Sequence, residues 1–318
     1  MKKRVLALPT TKRSLVVLFT IVGVVGAAST TADEGAISNL SGPYLGQVVP
    51  GTEASLFAPD VVSVTGRYEF ALSFSPAGDR ALFTVQTEDE NVMVLHTRQL
   101  NGSWIQPAPV SLAQGACADE MEAFFSPNGR QVYFAPYDEG MDVRIWQVTI
   151  DGDNWINPVP LAGAIAEQPA FYPTMASDGT LYYTNIAERK PYLSRQDEDG
   201  SWSAEAVAVE FGGHVFVAPD QSFLLLDAKS EDSLGHGDIY AAFATGNDSW
   251  SKPVNLGPGV NSEFSESCPS LSADGKYLFF SRYDEDGGIA QIYWVDAKVI
   301  SNARDHQKQK GSGISKAK

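Results

Sequence analysis

The feature of this sequence that most restricts its fold is a turn that recurs five times. The copies are Ser75–Gly78, Ser126–Gly129, Ala176–Gly179, Ala218–Gln221 and Ser272–Gly275, and their last residues are 51, 50, 42 and 54 positions apart. Each copy lies between two short apolar or aromatic segments. Two such segments joined by a turn rich in Pro, Asp and Gly are typical of a β-hairpin. The sequence therefore predicts a repeated hairpin.

A second turn, which ends in Trp, recurs out of phase with the first. It places Trp104, Trp155, Trp202 and Trp250 at intervals of 51, 47 and 48 residues. Each of these turns follows a third short apolar segment, so each period holds four strands. Apolar residues almost nowhere recur with the 3.6-residue period of a helix. A repeated four-stranded unit of about 40 to 50 residues is typical of a β-propeller blade. We therefore expect an all-β chain that forms a single β-propeller of about five four-stranded blades; a sixth, degenerate blade is an alternative.

The last copy of the repeat lacks its fourth strand. Its third strand, around residues 291–295, is the last apolar segment of that copy, whereas a strand-like segment at 54–64 precedes the first copy. Pairing of that segment with the last blade would join the two ends of the ring and remove free sheet edges. We expect a propeller over residues 43–300, closed by this N-terminal strand.

The two ends of the chain differ from this body in composition. Five basic residues precede an uncharged, mostly apolar run at 14–28, and small residues follow it, which is the pattern of a secretory signal peptide. We interpret 1–32 as a signal peptide, with an uncleaved anchor as the alternative, and 33–42 as a linker. The protein is then exported, periplasmic or extracellular, without a membrane span after cleavage. The basic tail, 301–318, is expected to be disordered.

The body carries an excess of negative charge. Residues 33–300 contain 13 Lys and Arg against 38 Asp and Glu, which gives a net charge of −25. Because nucleic-acid binding depends on neutralisation of phosphates by basic residues, this charge argues against a nucleic-acid partner. It favours cations, metal ions or basic protein surfaces, although much of it also serves solubility.

The segments Ser126–Phe134 and Ser272–Phe280 combine the turn with an aromatic strand. They resemble the WD40-like (PD40) propeller repeats of TolB-type exported bacterial proteins. The resemblance covers nearly all of residues 43–300, although the third copy lacks the Pro and Gln221 replaces the Gly of the fourth. It implies a propeller fold, export and a binding role, and it transfers no catalytic residue.

Three glutamates share one position in the repeat. Glu69, Glu120 and Glu266 each lie six residues before their turn, and Glu167 lies near that position in the third copy. In a propeller, a shared position becomes a shared height at the mouth of the channel, where clustered carboxylates need a cation or protons. We therefore regard Glu69, Glu120 and Glu266 as candidate ligands of a divalent cation. The alternative is that each glutamate hydrogen-bonds the backbone of the next blade and acts as a structural latch.

Loops expected on the same face add further candidates for ligand binding: His236, Asp238 and Arg282. Asp238 has an alternative role as the cap of a turn. The sequence contains no catalytic or phosphate-binding motif. We expect an exported, non-catalytic binding or scaffold protein that takes a protein partner or a small or carbohydrate ligand. The alternative is a propeller-type carbohydrate hydrolase or lyase that uses two of the glutamates expected in the funnel, which is the mouth of the central channel.

Overall fold

The structure is a computed structural model that describes residues 36–87, 89, 91–137, 143–246, 249–284 and 288–314. The expected signal peptide, 1–32, lies outside the described residues, as do 138–140 and 285–286 of two loops, 137–140 and 282–286, that the sequence places on the same face as the candidate residues. The described residues begin with two strands that precede the first hairpin. These are β1 (Ala36–Ser41) and β2 (Ser55–Leu56), with a 3-10 helix at Tyr44–Gly46 between them.

Twenty-one further strands follow among the described residues, and they fall into five repeats. The first repeat holds β3 (Tyr68–Phe74), β4 (Arg80–Gln86), β5 (Val92–Leu100), β6 (Ser103–Ile105) and β7 (Ala108–Val110). The second holds β8 (Asp119–Phe125), β9 (Gln131–Tyr137), β10 (Trp146–Asp151) and β11 (Asn154–Pro160). The third holds β12 (Ala170–Met175), β13 (Leu181–Asn185), β14 (Lys190–Ser194) and β15 (Glu205–Ala206), after a 3-10 helix at Ala164–Glu167. The fourth holds β16 (Val215–Val217), β17 (Phe223–Ala228), β18 (Asp238–Gly246), β19 (Ser249–Trp250) and β20 (Val254–Asn255). The fifth holds β21 (Ser265–Leu271), β22 (Tyr277–Asp284) and β23 (Ile289–Asp296), and α1 (Lys298–Ile314) ends the described chain.

Within each repeat the strands pair antiparallel in chain order. The orders are β3-β4-β5-β7, β8-β9-β10-β11, β12-β13-β14-β15 and β16-β17-β18-β20, and the fifth repeat is completed as β21-β22-β23-β2. The recurring turn joins the first two strands of every repeat. Its last residue has a left-handed φ in each copy, between 55° at Gln221 and 90° at Gly179. The repeated hairpin predicted from the turns is therefore present.

The first strands of the five repeats lie side by side. β3 contacts β8, β8 contacts β12, β12 contacts β16, β16 contacts β21, and β21 returns to β3. Side-chain hydroxyls form hydrogen bonds between neighbouring first strands: Ser270 Oγ donates to Leu72 O at 2.6 Å, and Thr174 Oγ1 donates to Val215 O at 2.9 Å. The first strands therefore surround a common centre.

The segment expected to complete the last repeat lies against β23. Ser55 and Leu56 of β2 pair with β23, Phe57 N donates to Ile292 O at 2.8 Å, and Ser63 Oγ donates to the same oxygen at 3.0 Å. Phe57 is fully buried among aromatic rings that include Trp294, at a centroid distance of 5.1 Å.

Two expectations about the ends are wrong. The segment 33–42 is not simply a linker, because β1 pairs with β6. The tail is not disordered over 301–314, where α1 continues. Val299, Ile300 and Ala303 form a buried apolar face on α1, which packs against the fourth repeat, and this anchoring offsets the polar composition of the helix. Among the described residues, no helix is long and apolar enough to cross a membrane.

Candidate functional site

One position of the repeat brings five different side chains together at the common centre. It lies seven residues before the last residue of each turn and holds Ala71, Glu122, Tyr172, His214 and Cys268. In four of them φ is left-handed, between 52° and 56°, and the strand pairing shifts register there. A β-bulge of this kind bends the strand and redirects a side chain. The bulges thus direct Ala71, Glu122, Tyr172 and Cys268 to the centre, whereas His214 reaches it without a bulge.

Glu122, His214, Asp227 and Cys268 form what we call the central cluster. His214 Nδ1 lies 2.6 Å from Asp227 Oδ2, and the backbone N–H of His214 donates to Asp227 Oδ1 at 2.6 Å. His214 Nε2 lies 3.5 Å from Glu122 Oε1. One donor atom each of Glu122, His214 and Cys268 lies within 4.8 Å of the others. Three repeats therefore contribute polar groups to one small volume.

Aromatic side chains enclose this cluster. The Tyr172 ring lies 4.8 Å from the His214 ring, and the Tyr172 hydroxyl donates to Pro269 O in the fifth repeat at 2.9 Å. The backbone N–H of Tyr172 donates to Glu122 Oε2 at 2.7 Å. Tyr172 therefore fixes the carboxylate and also spans the centre from the third repeat to the fifth.

A layer of half-buried aromatic rings covers the side of the cluster where the first strands begin. We call this layer the mouth; it consists of Tyr68, Phe70, Phe171 and Tyr283. Phe70 and Phe171 pack on Ala71, Tyr172 and Cys268, and Tyr68 lies 5.3 Å from Tyr283, centroid to centroid. On the opposite side, toward the turns, lies an apolar cavity of about 170 Å³ whose lining includes Phe124 and Phe216.

Burial and charge act in opposite directions on His214 and Cys268. Burial lowers the pKa of His214, but the interactions with Asp227 and Cys268 together outweigh burial, so that this pKa lies well above its usual value. Burial raises the pKa of the Cys268 thiol, and the neighbouring His214 opposes that shift without cancelling it. Glu122 and Cys268 are both more than nine-tenths buried.

Two kinds of chemistry use such a set of groups. A Cys, a His and an Asp in sequence can act as nucleophile, base and orienting group. Alternatively, sulfur, imidazole nitrogen and carboxylate oxygen together can hold a metal ion. A reactive cysteine usually has a lowered pKa and is partly exposed. Cys268 is buried and its pKa is raised.

The structure does not bring the three predicted glutamates together as a cluster of ligands among the described residues. Each carboxylate instead accepts hydrogen bonds from the loop that precedes its own strand. Glu120 accepts from Leu112 N at 2.7 Å and from Ala113 N at 2.9 Å. The carboxylates therefore hold backbone, as the alternative expects, but it is the backbone of the loop before the same strand and not that of the next blade.

The other two glutamates add an arginine to the same arrangement. Glu69 accepts from Val64 N at 3.1 Å and from Arg67 Nε at 2.6 Å. Glu266 accepts from Ser262 N at 3.1 Å and from Arg282 Nε at 2.7 Å. The candidate site residue Arg282 is therefore the partner of Glu266.

The remaining predicted residues lie apart from the central cluster. Glu167 is exposed on its 3-10 helix, and His236 is exposed on a loop. Asp238 is fully buried and accepts from Leu234 N at 2.7 Å and Gly235 N at 3.0 Å, so it caps a turn, as its alternative role requires.

Recurrence of one residue type points to the three glutamates and does not reveal the central cluster. The signal is the opposite one: a fixed repeat position whose occupants differ in every copy. Asp227 differs in the same way from the residues that occupy its place in the strand pairing of the other repeats, which are small: Thr84, Ala135, Thr184 and Ser281.

The chain matches no family model, and its sequence matches no curated protein. Among solved structures it resembles a TolB-type protein from Agrobacterium tumefaciens, with 17% identity, a TM-score of 0.50, and coverage of 73% of this chain and 78% of that one. It also matches TolB from Acinetobacter baumannii, with 14% identity, a TM-score of 0.44, and coverage of 73% and 57%. A third match is the periplasmic gluconolactonase of Pseudomonas aeruginosa, with 15% identity, a TM-score of 0.41, and coverage of 70% of each chain. The likeness to the first of these structures supports a β-propeller fold.

Proposed function

We propose that this chain is an exported, five-bladed β-propeller, closed by β2, that binds a small or carbohydrate-sized ligand at the mouth above the central cluster. The five repeats and the contact of β21 with β3 support the blade number. The pattern of residues 1–32 supports export. Mass spectrometry of the mature N-terminus checks it, and a mature chain that retains residue 1 would contradict signal cleavage.

The observation that carries the binding function is the group of ionisable side chains at the centre, where Glu122 and Cys268 are buried and His214 is half-buried. A carboxylate and a histidine are costly to bury, and a packed apolar centre would serve stability at least as well. Strongly shifted pKa values of buried groups also concentrate at functional sites. Half-buried aromatic rings at the mouth give a ligand an apolar surface next to these polar groups.

Binding is favoured over carbohydrate hydrolysis or lysis through the funnel carboxylates. Such catalysis needs two carboxylates that face a common substrate. The oxygens of Glu120 and Glu266 are instead occupied by backbone, hydroxyl and guanidinium donors of their own repeats.

The test is thermal unfolding with a panel of neutral sugars, uronic acids, sugar lactones and amines. A compound bound only by the folded state at about 100 times Kd adds roughly 2.7 kcal/mol of stability. We expect at least one compound to raise the midpoint of the wild type but not that of His214→Asn. The matched control is His306→Asn, because His306 is exposed on α1.

The compound must be recovered unchanged after prolonged incubation. Recovery of a converted product would overturn the non-catalytic function in favour of the enzyme. A panel in which no compound shifts the wild-type midpoint, or one in which His214→Asn keeps every shift, would overturn binding at this site.

A further inference from the structure

We propose that Glu122, His214 and Cys268 bind a thiophilic divalent cation of the Zn²⁺ or Co²⁺ class. The inference deepens the proposed binding function and rests on it in one respect, since the ligand at the mouth would reach the ion. Among the described residues, these three form the one group of metal-ligating side chains whose donor atoms converge.

The spacing of the donors fits a shared ion. Zn²⁺ bonds of about 2.0 to 2.3 Å place the donors of a tetrahedral site roughly 3.3 to 3.8 Å from one another. His214 Nε2 and Glu122 Oε1 are already 3.5 Å apart. With all three donors within 4.8 Å, Cys268 Sγ needs to approach by no more than about 1 to 1.5 Å, which is within reach of side-chain rotation.

Two of the three ligands are already oriented by their neighbours. Asp227 occupies Nδ1 of His214, which leaves Nε2 as the coordinating atom, and a carboxylate behind a ligating histidine is a recurrent feature of zinc sites. Asp227 also holds the backbone of His214. The backbone N–H of Tyr172 occupies Oε2 of Glu122, which leaves Oε1 facing His214.

The donor types select the class of ion. Sulfur and imidazole suit Zn²⁺ and Co²⁺, whereas Ca²⁺ and Mg²⁺ prefer sites made of oxygen atoms alone. A metal ion also deprotonates a coordinating thiol, so the resting thiol of Cys268 is no obstacle. Three protein ligands leave a fourth coordination position, as in metal sites that take water or a ligand.

The experiment is a Co²⁺ titration of chelator-treated, dialysed wild-type protein, followed by visible and near-ultraviolet absorption. We expect one equivalent to bind, with the ligand-field bands of a tetrahedral ion and a sulfur-to-cobalt charge-transfer band. One equivalent of Zn²⁺ should remove both signals, and a large excess of Ca²⁺ should not.

The two cysteines provide matched variants. Cys268→Ser should lose the charge-transfer band, while Cys117→Ser should keep it, because Cys117 lies beside Glu120 and outside the central cluster. Asp227→Asn should keep the band but weaken Co²⁺ binding about 10- to 100-fold. Circular dichroism verifies the fold of each variant, and Glu122→Gln replaces Cys268→Ser if the latter does not fold; it should weaken binding at least 10-fold.

A wild type that shows no charge-transfer band at one equivalent of Co²⁺ overturns the inference, as does a band that survives in Cys268→Ser. So does full affinity in Glu122→Gln. If Co²⁺ fails to bind while a panel compound still stabilises the protein, the metal site alone is refuted. If Co²⁺ binds as expected but no compound shifts the midpoint, the ligand-binding function alone is refuted.

Discussion

Truncation of Glu120 to alanine should destabilise the fold strongly, because the carboxylate is a buried acceptor for two backbone N–H groups. Leu112 N and Ala113 N donate to it at 2.7 and 2.9 Å, and Ser111 Oγ lies 3.2 Å away. A buried donor that loses its partner costs about 1 to 3 kcal/mol. Two such donors give an expected loss of about 2 to 6 kcal/mol for Glu120→Ala.

Glu120→Gln keeps one oxygen acceptor, so its loss should be roughly half as large. The assay is equilibrium unfolding in urea at pH 7, followed by tryptophan fluorescence, with and without Ca²⁺. Glu167→Ala is the matched control, because the side chain of Glu167 is exposed, and it should change the unfolding free energy by less than about 0.5 kcal/mol.

Two results would refute this reasoning. A loss below about 1 kcal/mol for Glu120→Ala would mean that the hydrogen bonds are not holding the loop. A rise in the wild-type midpoint with Ca²⁺ that Glu120→Gln abolishes would mean that the glutamates form a cation site after all. Ca²⁺ is the appropriate probe because it prefers oxygen ligands and so separates this site from the central cluster.

Two further predictions concern the closing segment and a buried acid. Phe57→Ala should cost about 3 to 5 kcal/mol in urea unfolding, because Phe57 is fully buried against Phe279 and Trp294; a loss below about 1 kcal/mol would contradict closure by this segment. Burial raises the pKa of Glu69 to about 7 despite its contact with Arg67, so the folded state binds more protons than the unfolded state between pH 4.5 and 7, and stability should fall as pH rises through that window. Unfolding free energies of wild type and Glu69→Gln over this range check the effect; equal pH slopes for the two proteins would exclude it.

The hairpins could be predicted because their signal is local. A left-handed residue at the end of each turn requires Gly or a tolerant residue, and the flanking strands need apolar side chains on their buried faces. Gln221 adopts the left-handed φ of 55° without being Gly, and the hairpin of the fourth repeat still forms. α1 was missed because its anchoring depends on Val299, Ile300 and Ala303 meeting the fourth repeat, which is a tertiary contact.

The central cluster could not be placed from alternation alone. Glu120 and Glu122 are two residues apart, so a regular strand would direct both side chains to the same face. The bulge after Met121 separates them, and one carboxylate serves the loop while the other turns to the centre. The functional signal was visible only as variation at a repeated position, and the contact between His214 and Asp227 joins two strands of the fourth repeat.

The closing strand also sets the order in which the protein can finish its assembly. Ser63 and Ile292 hydrogen-bond to each other although 229 residues separate them. At about 5 to 20 residues per second, ribosomal synthesis needs roughly 10 to 50 s to pass from one to the other. During that interval the first repeat has no neighbour on one side, and the closing strand β2 has no partner, because it pairs with β23. The youngest nascent chains therefore present an open strand edge, which chaperones or rapid pairing of the later repeats must protect from other chains.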